Sequence, residues 1–233
     1  MSGDRAQGLV CLQGGGEFSP GCRAMDRQLL DLAPGPVVVT ALAGTVGRDY
    51  RTATDNGVTH LRALGAREVL AAPDVRDDPE GALAALRGAR LVVLPGGSPS
   101  RLLSALTSTP LGQLLVDLVA DGGAVMGASA GAMVLCGWTV LPDQRGPSGM
   151  AVSKGLGIVP DTLVLPHWNG GSSRADWQRA IEAGTPEGTT VLGLPEESGV
   201  LLQDGVLTSV GRRASTLVSE ARDLPLAATW RLP

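Results

Sequence analysis

The pentapeptide Gly127-Ala128-Ser129-Ala130-Gly131 closes a short apolar run that starts at Gly122, and every neighbour of Ser129 from Gly127 to Ala132 is Gly or Ala. The pattern is G-x-S-x-G, the signature of a sharp strand-to-helix turn that lifts a serine hydroxyl above the end of a sheet. Such a turn holds the serine in a strained backbone conformation. Larger neighbours would clash with the strand and helix that it joins. The helix amides that follow favour developing negative charge. By itself the pentapeptide also fits a tightly packed turn without chemistry, so the rest of the chain has to decide. Gly123, Gly127 and Gly131 are spaced like a membrane glycine zipper, but Asp121 bounds the run and no long block of Leu, Ile or Phe accompanies it.

Around this stretch, apolar runs alternate with helical patterns, the signature of a parallel sheet covered on both faces. Strands are expected at 9–13, 36–42, 68–72 and 91–94, with the elbow strand following. Helices are expected from about 20, from about 49, from 79, from about 100 and over 110–120. Short connections and right-handed crossovers make this a doubly wound, mostly parallel α/β sheet. A length of 233 residues suits one domain, 1–233. Ligands of such folds bind at the carboxyl ends of the strands. The elbow, the triple glycine Gly14-Gly15-Gly16 and the loop Pro95-Gly96-Gly97 would all lie there.

The triple glycine does not make a dinucleotide site. The third glycine of G-x-G-x-x-G is replaced by Ser19, and the second strand ends Val39-Thr40-Ala41 with no acid. Lys154 is the only lysine and follows no phosphate-binding loop. A net charge of −4 with a pI near 5.2 gives no reason to expect nucleic acid or an anionic membrane. Cys11, Cys22 and Cys136 are odd in number and lack metal spacing, which reads as reduced thiols in a cytoplasmic protein. No signal peptide is apparent at the N-terminus.

Acyl-transfer chemistry needs two amides aimed at an oxyanion, a base and a group that orients the base. Ala130, next after the serine, supplies one amide. Gly97, in a neighbouring strand-end loop, suits the other because glycine permits close approach. There are two histidines. His60 falls inside the helix from about 49, among Val58, Leu61 and Leu64, where packing or surface roles are expected. His167 follows the apolar run 162–166 and opens the loop Trp168-Asn169-Gly170-Gly171, before a helical stretch over about 173–183. It is the base of choice. For the orienting acid, Asp143 and Asp161 lie between serine and histidine, as in α/β-hydrolases. Glu196 and Glu197 instead follow the strand 190–194 and precede another at 199–202. Glu196 is placed ahead of Glu197, which would face the other way if the strand period held.

These residues together resemble the dipeptidase E and cyanophycinase serine peptidases, whose fold is similar to class I glutamine amidotransferases. The resemblance covers about residues 8–203. It rests on the order Ser129, His167, Glu196, on Gly14-Gly15-Gly16-Glu17, on Pro95-Gly96-Gly97 and on Ser129-Ala130-Gly131-Ala132. Pro166-His167-Trp168 resembles the element around the family histidine. Arg174, Arg179 and Ile181 resemble the stretch beyond it, and Leu194 to Ser198 aligns Glu196 with the family glutamate. The resemblance implies hydrolysis of short peptides beside an aspartyl residue through an acyl-enzyme. It puts Asp143 near an active-site-loop aspartate and Arg174 near an arginine that pairs with a substrate carboxylate; Asn169 and Gly16 complete the expected substrate contacts. Departures are Pro195 beside the glutamate, a poorly matching loop at 142–154, and no Gln-His-Phe-like element of the cyanophycinases. The expected partner is a short peptide, with no cofactor, nucleic acid or membrane, and a homodimer is allowed for. Hydrolysis of aspartyl-arginine peptides and a catalytically silent binding module stand as alternatives.

Overall fold

The structure, a computed structural model, describes residues 8–146, 149–169 and 175–232. The first half of the chain folds as the alternation predicts. Strands β1 (Leu9–Gln13), β2 (Val37–Val39), β3 (Val69–Ala71) and β4 (Leu91–Leu94) are interleaved with helices α1 (Arg23–Leu32), α2 (Arg48–Ala63) and α3 (Pro79–Arg87). Helices α4 (Pro99–Thr107) and α5 (Leu111–Ala120) then lead into β5 (Ala124–Ala128) and the short α6 (Ala130–Leu135). Proline opens α3 and α4, and Asp78 and Ser98 cap them by accepting from the amides of Gly81 and Arg101. Strands β2 and β3 are shorter than the expected 36–42 and 68–72.

The five strands pair in parallel in the order β3-β2-β4-β5-β1. Side-chain alternation along each strand divides the core in two. Val10, Leu12, Val38, Val92 and Val125 face Leu102, Leu106, Leu111 and Leu115 of α4 and α5. Leu9, Cys11, Val37, Val39 and Met126 face Met25 and Leu29 of α1 and Val58 and Leu61 of α2. Both faces of the sheet are thus covered. Among the described residues no single helix is long and apolar enough to cross a membrane, and the apolar pair α4–α5 is bent by 85°.

After the elbow the chain leaves this sheet. A return to a parallel neighbour needs a crossover of a dozen or more residues, and α6 has 6 before the next strand begins at Cys136. Strands β6 (Cys136–Pro142), β7 (Met150–Lys154), β8 (Val159–Pro166) and β9 (Thr190–Leu194), with α7 (Ala175–Gly184), therefore build a second sheet. Strands β6, β8 and β9 run parallel, so their ends come out on one side. The chain then steps back across the three-residue turn 195–197. Strand β10 (Ser198–Gln203) pairs antiparallel with β1, and β11 (Val206–Gly211) and β14 (Thr229–Arg231) extend that edge. Strands β12 (Ser215–Leu217) and β13 (Arg222–Leu224) extend the second sheet beyond β9. The α/β reading holds, but its single sheet is two. One cluster joins them, running from Val10 and Leu12 through Val164, Leu192 and Leu194 to Leu217.

Candidate active site

The elbow forms as its small residues require. Ser129 sits between β5 and α6 with φ 49° and ψ −109°, a region that non-glycine residues seldom occupy. A Cβ on Gly127 would lie 2.4 Å from the Gly131 carbonyl carbon, and one on Gly131 would lie 2.3 Å from the Leu94 carbonyl oxygen. Both collisions are with backbone, so neither position can give way. The Ser129 amide donates to the Gln13 carbonyl oxygen at 2.9 Å, which ties the elbow to the end of β1.

His167 stands just past β8, also at positive φ (54°). Two hydrogen bonds fix this turn: the His167 amide donates to the Gly14 carbonyl at 2.8 Å, and the Trp168 amide to that of Leu194 at 3.0 Å. The triple glycine now has a physical reason. A Cβ on Gly15 would fall 2.3 Å from His167 Cε1, so the imidazole needs a bare backbone beside it. The buried Trp168 ring packs in the same way over Gly193.

The turn 195–197 points the two glutamates in different directions. His167 Nδ1 lies 3.0 Å from Glu196 Oε1, and His167 Nε2 lies 2.8 Å from Ser129 Oγ. A carboxylate only accepts, so Nδ1 carries the proton. Nε2 is left as acceptor for the serine hydroxyl, the tautomer a general base needs. Glu197, at φ 56°, points elsewhere. Its carboxylate accepts from Ser19 Oγ at 2.8 Å and from Arg212 Nη1 at 3.0 Å. The Ser19 hydroxyl, aided by the Arg212 guanidinium, holds that carboxyl below the usual carboxylate range. Glu197 thereby clamps the loop after β1 against the end of β11.

Opposite the histidine, the loop 95–97 reaches the elbow. Gly97 has φ 138°, and a Cβ there would meet the Ala43 carbonyl oxygen at 2.7 Å. Its amide has no hydrogen-bond partner among the described residues, and the Ala130 amide opens α6. The amide of Gly96, by contrast, donates to Glu17 Oε1 at 2.8 Å. Glu17 has no assigned role in the sequence reading. Its signal is its place at the end of the element Gly14-Gly15-Gly16-Glu17.

The remaining expected contacts are spread out. Gly16 is at φ 69° beside the Glu197 side chain. Asn169 is exposed in the loop after His167. Asp143 is exposed at the tip of the β6–β7 hairpin, where its carboxylate accepts from the Arg145 amide at 2.9 Å. Asp161 sits near the start of β8, away from the end that carries His167. Arg174 lies outside the described residues. Among the described residues no group of three His, Cys, Asp or Glu could hold a metal ion. All three thiols are buried, and burial pushes the Cys22 thiol up to about 11 and those of Cys11 and Cys136 higher still.

His60 is buried, with Nε2 2.7 Å from Asp26 Oδ2, and the Gln13 side-chain amide donates to Asp26 Oδ1 at 2.6 Å. The fully buried Asp26 thus depends on two partners. His60→Ala should leave peptide hydrolysis near wild type while lowering stability by about 2–4 kcal/mol, because a core carboxylate loses a partner. Denaturant unfolding beside steady-state kinetics checks this; a folded but inactive variant would move His60 into the chemistry.

The model of peptidase family S51 matches residues 25–210. No curated protein matches the chain. Among solved structures, a peptidase from an acI-B1 Actinobacterium superposes with a TM-score of 0.80 at 23% identity, covering 97% of this chain and 98% of that one. A candidate peptidase E of Listeria monocytogenes EGD-e superposes with a TM-score of 0.65 at 19% identity, covering 89% and 100%. At these identities the two structures speak to the fold.

Proposed function

Because this chain belongs to peptidase family S51 and is a serine peptidase, we propose that it hydrolyses short peptides beginning with aspartate, in the cytoplasm, through Ser129, His167 and Glu196. The observation that carries this is the line Ser129 Oγ, His167 Nε2, His167 Nδ1, Glu196 Oε1, with separations of 2.8 and 3.0 Å. His167 takes the hydroxyl proton as Ser129 attacks the scissile carbonyl, then returns it to the leaving amine. Glu196 keeps the proton on Nδ1 and stabilises the imidazolium. The Gly97 and Ala130 amides receive the oxyanion. Water then attacks the acyl-enzyme by the same steps, with His167 again as base.

Aspartyl preference rests on the family resemblance and on Arg174, whose guanidinium would grip a substrate carboxylate in a bidentate pair. An Asp-Xaa dipeptide should then exceed its Asn-Xaa analogue in kcat/KM. Arg174→Met should erase most of that ratio, by about 1–3 kcal/mol, with neutral peptides cleaved as before. An unchanged Asp-to-Asn ratio would remove Arg174 from the site.

A further inference from the structure

Glu17 has a position that its hydrogen bond to Gly96 does not explain. A methyl placed on Gly96 would lie 2.9 Å from Glu17 Oε1 and 3.1 Å from Ser129 Cβ, so the carboxylate and the Ser129 side chain flank the same point beside Gly96. Among the described residues no cation pairs with Glu17. Glu17 also lines an open cleft with Arg23, Asn56, Thr59 and His60. A carboxylate that no described cation neutralises, beside an acyl-transfer site, opposes the oxyanion that forms there. Holding the loop 95–97 would not require a charge, since a neutral acceptor could take the Gly96 amide proton equally well. The charge makes sense if the substrate brings a cation to within two bonds of the scissile carbonyl. In a peptide that cation is the α-ammonium group of the first residue.

We propose that Glu17 binds the free α-ammonium group of the substrate's N-terminal residue, and so restricts the enzyme to cleavage after the first residue. The proposal rests on the serine-peptidase reading of the same site and adds the requirement for an unblocked amine. The ammonium group donates to Glu17 while the Gly96 amide holds the other side of the carboxylate in place. Neutralised in this way, Glu17 ceases to oppose the oxyanion. An acetylated peptide brings no cation and leaves the carboxylate bare, so the penalty falls on both binding and turnover.

Glu17→Gln separates this role from a structural one, because the glutamine carbonyl keeps the acceptor for Gly96 and removes only the charge. Dipeptides with different first residues, each with a free or an N-acetylated amine, are assayed for hydrolysis. Their binding to the Ser129→Ala protein, with and without Glu17→Gln, is measured by calorimetry. The wild-type site should favour the free amine by about 10- to 100-fold in Kd and in kcat/KM. Glu17→Gln should collapse that ratio towards one, losing the free-amine peptides and sparing the acetylated ones. Equal binding of both forms by the Glu17 protein, or a ratio that survives Glu17→Gln, would overturn the proposal and leave the serine chemistry standing. Failure of every dipeptide to bind or react would instead count against the short-peptide reading beneath it.

Discussion

Ser129→Ala should lower kcat for peptide hydrolysis by about 10⁵- to 10⁶-fold, the scale on which removal of a serine nucleophile acts. The fold should be untouched. Alanine meets the same strain at φ 49° as serine does, and the lost oxygen's recorded side-chain bond is the one to His167 Nε2. The Ser129 amide still donates to Gln13, so the elbow keeps its anchor to β1. The measurement is steady-state turnover of dipeptides by both proteins, with a fluorophosphonate probe and mass spectrometry to locate the labelled residue. Wild type should gain one adduct on Ser129 and the variant none. Comparable turnover by the two proteins would defeat the mechanism; among the described residues Cys136 and Cys11 are buried, and burial pushes their thiols up.

The second large effect is that of His167→Ala, expected to cost about 10⁴- to 10⁶-fold in kcat, since without a base the hydroxyl keeps its proton. Its neighbours refine the expectation. Glu196→Gln removes the charge that favours the imidazolium and permits the wrong tautomer, an effect of about 10⁴-fold where the acid is buried. Here the Glu196 side chain is 56% exposed, so water shares the load and about 10²- to 10³-fold is expected. Glu197→Gln should stay within about 10-fold of wild type, because its partners are Ser19 and Arg212; its effect should fall on the stability of the loop after β1. Kinetics of the three variants at saturating substrate, with unfolding curves for each, decide the matter. A Glu197 variant more damaged in kcat than the Glu196 variant would reverse the assignment.

Much of this site is local, and local features are written in sequence. Only Gly and Ala fit around Ser129, because Cβ atoms at 127 and 131 would strike backbone. The elbow could therefore be read from five letters. The ends of β1, β4, β5 and β9 were legible for a similar reason, since buried parallel strands are continuous apolar runs bounded by turn residues. His167 followed from there being two histidines, one of them inside a helix.

What the sequence could not fix depends on parts of the chain that meet only in space. Glu196 rather than Glu197 faces His167, and strand alternation is not the cause. Both lie in the turn between β9 and β10, and the left-handed backbone at Glu197 turns its side chain towards Ser19. Nor does the spacing of apolar runs say that six residues after Ser129 are too few to return to the first sheet, so that β6 begins a second one. The reach of Gly14 and Gly15 to His167, across more than 150 positions in the chain, exists only once both sheets are packed, and that of Glu17 to Gly96 only once β1 and β4 lie in one sheet. A motif records the backbone geometry that its own few residues can adopt. The partners of a side chain are set by which distant segments the core brings alongside it.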